Sequence, residues 1–238
     1  MRYLKPGKLY CFSPPVMLAT FIIEVVCALY ILARYKLTAI TRLGVAILLC
    51  LALFQLAEYN VCEGAWGLNS LTWARVGYVA ITLLPPLGLH LAVRISDKKQ
   101  PNLLAGSYGM AAIFSCIFLA LGHGMQAEEC LGNYVIFTIA PWAVWPYAIY
   151  YYGLLILGIA YAWQAADSSG NKATKKALYS LAIGYAAFII PTTTANIVDP
   201  GTIAGIPSIM CGFAVILALI LTGFTLPSAY IETRKKTR

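Results

Sequence analysis

The feature that most constrains this chain is a long apolar stretch with two adjacent prolines at its centre. Residues 73–94 read WARVGYVAITLLPPLGLHLAVR, and between positions 74 and 93 only Arg75 and His90 can be charged near neutral pH. About 20 consecutive apolar residues are enough for a helix to cross the hydrocarbon core of a bilayer. The stretch therefore predicts a transmembrane helix.

Pro85 and Pro86 predict a kink in the middle of this helix. Each proline lacks an N–H donor, and its ring clashes with the preceding turn of the helix. In lipid, no water is present to bond the carbonyls that the prolines leave free, so neighbouring helices must supply the donors. We therefore expect this helix to lie inside a bundle.

Six further apolar runs accompany the central one. With it, they predict an all-α, polytopic membrane protein that forms a single seven-transmembrane helix bundle over residues 1–238, with a short basic cytoplasmic tail at 226–238. In the fifth run, Pro146 is expected in the first turn, where proline is tolerated. The predicted spans are residues 14–35, 43–59, 74–93, 103–121, 142–163, 177–196 and 208–225.

The composition leaves little room for a soluble domain. Hydrophobic residues make up 61% of the chain and charged residues only 11%, whereas soluble proteins have about 25% charged residues. The net charge of +8 could suggest nucleic acid, but the basic residues lie in short loops between apolar runs. That placement indicates a lipid bilayer with an anionic inner leaflet as the partner, and no nucleic acid.

The distribution of Lys and Arg predicts the orientation. Thirteen of them fall on one side of the predicted membrane and four on the other, so the N-terminus is expected outside and the C-terminus in the cytoplasm. We expect a multi-pass protein of the cell membrane, in a prokaryotic plasma membrane. The thirteen are Arg34, Lys36, Arg42, Arg94, Lys98, Lys99, Lys172, Lys175, Lys176, Arg234, Lys235, Lys236 and Arg238, and the four are Arg2, Lys5, Lys8 and Arg75. Tryptophans near the span ends fit interfacial anchors, namely Trp66, Trp73, Trp142, Trp145 and Trp163.

Three of the seven cysteines fall on the predicted outer side, where an oxidising environment allows disulfides. They are Cys11, Cys62 and Cys130, and the pairing of Cys62 with Cys130 is favoured because it would join two outer loops. Three cysteines allow three pairings, so the other two stay open. The remaining four cysteines lie within spans and are interpreted as small packing residues.

A glutamate and an arginine are predicted at similar depth in consecutive antiparallel spans. Glu58 lies near the outer end of the second span and Arg75 at the outer start of the third. An ion pair between them could be a structural clamp that fixes the hairpin of helices. It could also be the floor of an outward-facing ligand pocket, since pockets between bundle helices are common binding sites. The candidate walls are Tyr78, Trp145, Tyr147, Thr193 and Asn196, with Thr192 and Thr194 beside them.

Glu24 is a second carboxyl, near the middle of the first span. Burying a charge in a membrane costs roughly 3 kcal/mol on insertion scales, so an intramembrane carboxyl invites a functional interpretation. Gln55 is a plausible hydrogen-bond partner for Glu24. The alternatives are a proton-linked role and a carboxyl that is simply neutralised by burial.

Several enzyme and cofactor classes do not fit the sequence. A seven-helix metal-dependent hydrolase needs several histidines with aspartates, but this chain has two histidines, far apart along the membrane normal, and no aspartate in a predicted span. A retinal Schiff base needs a lysine inside the bundle, and no predicted span contains one. No glycine-rich phosphate loop is present. We therefore expect no enzymatic activity, no cofactor and no bound metal.

Three segments resemble a known family of membrane modules. They are LTWARVGYVAITLLPPLGLHLAVRISDKK at residues 71–99, YYYGLLILGIAYAW at 150–163, and AIGYAAFIIPTTTANIV at 182–198 with IPSIMCGFAVILALILTGFTLPSA at 206–229. In order and spacing they resemble the histidine kinase N-terminal 7TM region, a sensor-like seven-helix module. In that family the last helix leads into a cytoplasmic kinase or cyclase. Here eleven residues follow Pro227, so the resemblance implies an output on another polypeptide.

These observations favour a sensor or receptor-like module that binds a small ligand or senses the state of the membrane. It would signal through a separate cytoplasmic partner protein. The first alternative is a structural or accessory subunit of a larger membrane complex, which predicts a filled bundle and a wide apolar face. The second alternative is a small-molecule transporter, which predicts a midplane site reachable from both sides through broken helices.

Overall fold

A computed structural model describes residues 14–64, 67–119, 125–130, 135–199 and 205–236 of the chain. Within these ranges, seven helices are long and apolar enough to cross a membrane. The expectation of an all-α, seven-helix, multi-pass membrane protein is confirmed. The spans are Pro14–Arg34, Ala39–Glu63, Ser70–Ile95, Pro101–Leu119, Pro141–Asp167, Lys172–Val198 and Ile206–Ile231.

Two of the spans consist of more than one regular segment. The third contains two helices separated at Leu83, and the seventh contains a π-helical turn, Leu221–Thr225. The helices are α1 (Pro14–Arg34), α2 (Ala39–Glu63), α3 (Ser70–Thr82), α4 (Leu84–Ile95), α5 (Pro101–Leu119), α6 (Pro141–Asp167), α7 (Lys172–Val198), α8 (Ile206–Ile220) and α9 (Leu226–Lys236).

Local sequence signals account for several helix ends. The side chain of Thr38 accepts a hydrogen bond from the backbone N–H of Thr41 at the start of α2, and the Thr41 hydroxyl accepts one from the N–H of Thr38. This reciprocal arrangement satisfies donors that the first turn leaves free. At the other end, α2 stops at Gly64, whose φ of 65° is the left-handed conformation that glycine adopts without strain. Asn69 and Asn171 cap α3 and α7 in the same way as Thr38.

Alternating spans give the bundle two distinct ends. The short connections 35–38, 96–100 and 168–171 lie at the same end as α9, and we call this the basic end. The opposite end contains the connection 64–69 and a β-hairpin, and we call it the hairpin end. These names describe the ends only, and which end faces the cytoplasm stays a prediction.

The hairpin was not predicted from the sequence. Strands β1 (Met125–Cys130) and β2 (Val135–Ile139) pair in antiparallel register, with Glu128 opposite Phe137. Phe137 is buried, with its ring centroid 5.8 Å from that of Phe54 in α2 and 5.5 Å from that of Tyr78 in α3. The hairpin therefore inserts an aromatic side chain between two spans and closes this end of the bundle.

The third span lies at the centre of the bundle. Of the apolar window that defines it, 78% is buried, the largest share among the seven spans. Its two halves contact α2, α5, α6 and α7. The prediction that this span lies inside the bundle is therefore confirmed, and the helix is interrupted at Leu83, two residues before Pro85.

Several helix boundaries differ from the expectation by a few residues, and one of these differences concerns a proline. The fifth span begins at Pro141, so Pro146 lies inside α6 instead of in its first turn. The earlier start has a physical reason, because Pro141 is well suited to the first helical position, where no N–H donor is required. A second internal proline, Pro191, lies in α7.

Candidate functional site

The break in the third span is stabilised by tyrosine hydroxyls from neighbouring helices. Pro86 has no N–H to donate to the carbonyl of Thr82, four residues earlier. Tyr150 of α6 donates to that carbonyl instead, with 2.6 Å between oxygens. Tyr185 of α7 donates to the carbonyl of Leu84 at 3.3 Å. The break is therefore held by α6 and α7, as a polar backbone in lipid requires.

The Thr82 side chain joins the same network. Its hydroxyl donates to the carbonyl of Tyr78 at 2.6 Å and lies 3.0 Å from the hydroxyl of Tyr147. The rings of Tyr78 and Tyr147 are 5.8 Å apart. Phe118 packs against both rings, at 5.0 Å from Tyr78 and 5.1 Å from Tyr147. Aromatic side chains thus fill the bundle on the hairpin side of the break.

A second group of buried polar side chains lies where α1, α2 and α8 meet. We call Glu24, Gln55, Glu58 and Ser208 the interior polar cluster, and each is at most 1% exposed. Gln55 and Glu58 are three residues apart and so share one face of α2. The Ser208 hydroxyl and the Glu58 carboxyl form a hydrogen bond. The carboxyl of Glu24 interacts electrostatically with that of Glu58, so the cluster brings the two carboxyls together.

Much of the hydrogen-bonding capacity of this cluster is unused within the described part of the chain. Both carboxyl oxygens of Glu24, Oε1 of Glu58 and Nε2 of Gln55 are buried without a hydrogen-bond partner there. The hydrogen bond expected between Glu24 and Gln55 is therefore not formed through Nε2. Buried polar atoms without partners are uncommon in folded proteins and destabilise them, so this cluster is the strongest candidate for a functional site.

The structure brings together only some of the residues predicted to form an outer pocket. Tyr78 and Tyr147 are buried and in contact, and Tyr78 also interacts electrostatically with Glu58. Trp145 is 75% exposed on the outer surface of α6, and Thr193 is exposed on α7. Neither side chain faces the Tyr78–Tyr147 contact, because α6 and α7 turn those positions away from the core.

Two further members of the predicted pocket lie at intermediate burial. Arg75 and Asn196 are both half-buried, and each interacts with other groups of the protein. The hydrogen bond described for the Glu58 carboxyl is the one with Ser208. The ion pair between Glu58 and Arg75 stays a prediction.

Ser208 and Cys211 were missed as site residues by sequence reasoning. Cys211 interacts electrostatically with both Glu24 and Glu58, and it is three residues after Ser208 on the same face of α8. A serine and a cysteine near the start of an apolar span resemble ordinary packing residues. Their significance depends on α8 contacting both α1 and α2, which apolar periodicity does not reveal.

A pocket lined by described residues lies between α4, α6 and α7, and it has room for about one water molecule. Its lining is apolar, apart from the Tyr185 hydroxyl. No group of three or more His, Cys, Asp or Glu side chains in these ranges is placed to hold a metal ion.

One cysteine of the described residues is in a disulfide and four are free. Cys62 is disulfide-bonded, whereas Cys27, Cys50, Cys116 and Cys211 are free, so its partner is Cys11 or Cys130. Cys11 and the side chain of Cys130 lie outside the described residues, and the Cys62–Cys130 pairing stays a prediction.

Trp142, Trp145 and Trp163 are exposed near the two ends of α6, whereas Trp73 is buried and is therefore no interfacial anchor. Trp66 lies outside the described residues.

Comparison with known proteins does not identify a family. No family model matches the chain, and no curated protein matches its sequence.

Proposed function

We propose that this chain is a sensor-like module of the cell membrane that acts through a separate protein at its basic end. The observation on which the proposal depends is one continuous stretch of helix. It runs from Ile206 through the π-helical turn to Lys236. Ser208, near its start, bonds Glu58 of the interior polar cluster, and its end is the basic sequence RKK. A residue of the buried cluster and the basic end of the chain therefore lie on one continuous helical stretch.

The π-helical turn gives this element a position at which it can change shape. Such turns are less favourable than α-helix and often occur at functional sites. The turn is braced from α7, because the hydroxyls of Ser180 and Thr225 are 2.9 Å apart. A shift in α8 would be converted at this turn into a different position of α9.

Contacts at the basic end tie α9 to the helices of the polar cluster. Leu226 is fully buried and lies over Gly44 of α2, where a Cβ would collide with it. The rings of Tyr230 in α9 and Tyr35, which follows α1, are 5.0 Å apart. Helices α1 and α2 thus contribute to the polar cluster, while α2 and the residue that follows α1 contact the last helix.

The aromatic packing beside the third span and the small size of the neighbouring cleft favour sensing of the membrane or of a small ion over binding of an organic ligand. The aromatic cluster fills the hairpin side of the third span, and the cleft between α4, α6 and α7 has room for about one water molecule. The proposal also includes an anionic inner leaflet, a cytoplasmic location of the basic end, and a prokaryotic plasma membrane.

An accessory subunit of a larger membrane complex is the second candidate function. The aromatic packing and the small cleft described above favour it, since such a subunit needs no cavity. Two apolar surfaces would be available to a neighbour: on α1, Ile22, Val26 and Leu29 are exposed, and on α6, Ile149 and Ile156 are exposed. In a membrane, lipid would cover the same surfaces equally well.

Hydrogen exchange of the last helix tests the sensor proposal. Glu58→Gln changes the buried site, and Glu63→Gln changes an exposed carboxyl at the end of the same helix. We expect Glu58→Gln to alter amide exchange in residues 226–236, and Glu63→Gln to leave it unchanged. Equal exchange in both variants and the wild type would contradict the proposal.

Co-purification in mild detergent separates the two candidate functions. A sensor should bring down a signalling enzyme, such as a kinase or cyclase, whose output changes when Glu58→Gln replaces the wild type. An accessory subunit should bring down a complex whose activity requires the chain but is insensitive to Glu58→Gln.

A further inference from the structure

We propose that the interior polar cluster binds one small cation, which is a proton or a dehydrated alkali-metal ion. The proposal deepens the proposed function, because it names what the buried end of the sensor would detect. The binding itself does not depend on signalling.

The first argument is the supply of oxygen atoms. Glu24 and Glu58 contribute four carboxyl oxygens, Gln55 an amide oxygen and Ser208 a hydroxyl. Hard cations prefer carboxylate, carbonyl and hydroxyl oxygens. These six oxygens come from three different helices, and every side chain that bears them is at most 1% exposed.

The second argument is that the cluster is incomplete without an occupant. Both oxygens of Glu24 and one oxygen of Glu58 have no hydrogen-bond partner within the described ranges. Besides the two acidic residues, the amide side chain of Gln55 is also buried, at 1% exposure, and its Nε2 has no hydrogen-bond partner within the described ranges. It lies on the face of α2 that contains Glu58. A bound proton or metal ion would satisfy the carboxyl oxygens.

The third argument concerns charge. The carboxyls of Glu24 and Glu58 interact electrostatically with each other, Tyr78 of α3 interacts with Glu58, and Cys211 of α8 interacts with both carboxyls. Two carboxylates in a low-dielectric interior repel each other strongly, and a single positive charge between them removes that repulsion.

Binding of ²²Na⁺ to the purified full-length chain tests the metal arm of the proposal. The protein is held in lipid nanodiscs at fixed ionic strength, with choline chloride replacing sodium chloride. We expect saturable binding of one ion per chain, competed by lowering the pH, and lost by at least tenfold in Glu24→Gln and Glu58→Gln. The exposed carboxyl variant Glu63→Gln is the matched control and should bind as the wild type does.

Infrared difference spectroscopy tests the proton arm on the same samples. A carboxylic acid band that changes with pH in the wild type, and whose amplitude falls in Glu24→Gln and in Glu58→Gln, would identify a proton as the occupant. Ser208→Ala leaves both carboxyls in place, so it remains informative if the glutamine variants fold poorly. We expect it to weaken sodium binding about tenfold, or to shift the carboxyl band, because one hydrogen bond to the charged site is lost.

The outcomes distinguish this inference from the proposed function. No saturable sodium binding together with no pH-sensitive carboxyl band would overturn the cation site. So would binding that is equal in the wild type and in both glutamine variants. Either result leaves the hydrogen-exchange test of the last helix intact, and a negative exchange result leaves the binding test intact.

Discussion

The hydroxyl of Tyr150 donates a 2.6 Å hydrogen bond to the backbone carbonyl of Thr82, which is the carbonyl that Pro86 leaves without a helical donor. A side chain from the fifth span therefore completes the backbone of the third. In lipid, where water cannot replace the missing donor, this bond explains how a double proline is accommodated at the centre of the bundle.

Replacement of Tyr150 by Phe should destabilise the protein by about 1 kcal/mol, the scale of interhelical hydrogen bonds in membranes. The measurement is thermal unfolding in detergent. Tyr152→Phe is the matched control, because Tyr152 is half-buried and its hydroxyl makes no hydrogen bond in the described part of the chain. An equal loss in both variants would mean that the Thr82 bond contributes no specific stability.

A double-mutant cycle with Pro86→Ala sharpens this test. Alanine at position 86 restores an N–H that can donate to the Thr82 carbonyl, so the hydroxyl of Tyr150 should become less necessary. We expect Tyr150→Phe to cost less in the Pro86→Ala background than in the wild type. Strict additivity of the two substitutions would contradict the proposed link between the proline and the tyrosine.

The close approach of α4 and α7 should make Gly88 sensitive to a single added carbon. A Cβ at this position would collide with the hydroxyl and ring of Tyr185. Overpacking of this kind costs about 1–3 kcal/mol, so Gly88→Ala should lower the unfolding temperature. Gly106→Ala is the control, because a Cβ at Gly106 in α5 has open space around it. Equal unfolding temperatures for the two variants would argue against this packing.

The apolar runs and the double proline were sufficient to predict the spans and the central position of the third one. The apolar runs also placed the boundaries within a few residues, since the first span was predicted at 14–35 and α1 is Pro14–Arg34. The β-hairpin was not predicted, because its strands are short and Glu128 and Glu129 make the segment resemble a polar loop. Its position depends on Phe137 packing against two spans that are distant in sequence.

The candidate site was only partly predictable. Glu24 and Glu58 were identified because carboxyls in apolar runs are costly. Which helices face them depends on packing between the first, second and seventh spans, so Ser208 was missed and Gln55 was assigned a bond that is not formed. Trp145 and Thr193 were grouped with Tyr147 by depth, but depth does not fix the rotation of a helix about its axis.

The disulfide of Cys62 is predicted to pair with Cys130. A non-reduced digest analysed by mass spectrometry should contain a peptide that joins these two residues. Cys130→Ser should then release a thiol at Cys62 that alkylating reagents detect after denaturation, whereas Cys11→Ser should not. A peptide that joins Cys62 to Cys11 would contradict the prediction and would place the N-terminal segment, instead of the hairpin, against the end of α2.

The most direct test of the account is the labelling of single cysteines in intact cells with a membrane-impermeant maleimide. Leu68→Cys places a thiol at the hairpin end, and Leu37→Cys and Ile231→Cys place exposed thiols at the basic end. The account predicts labelling of Leu68→Cys alone above the wild-type background, with the other two labelled only after the cells are lysed. Labelling of Ile231→Cys in intact cells would contradict a cytoplasmic basic end, and with it the proposal of a cytoplasmic partner.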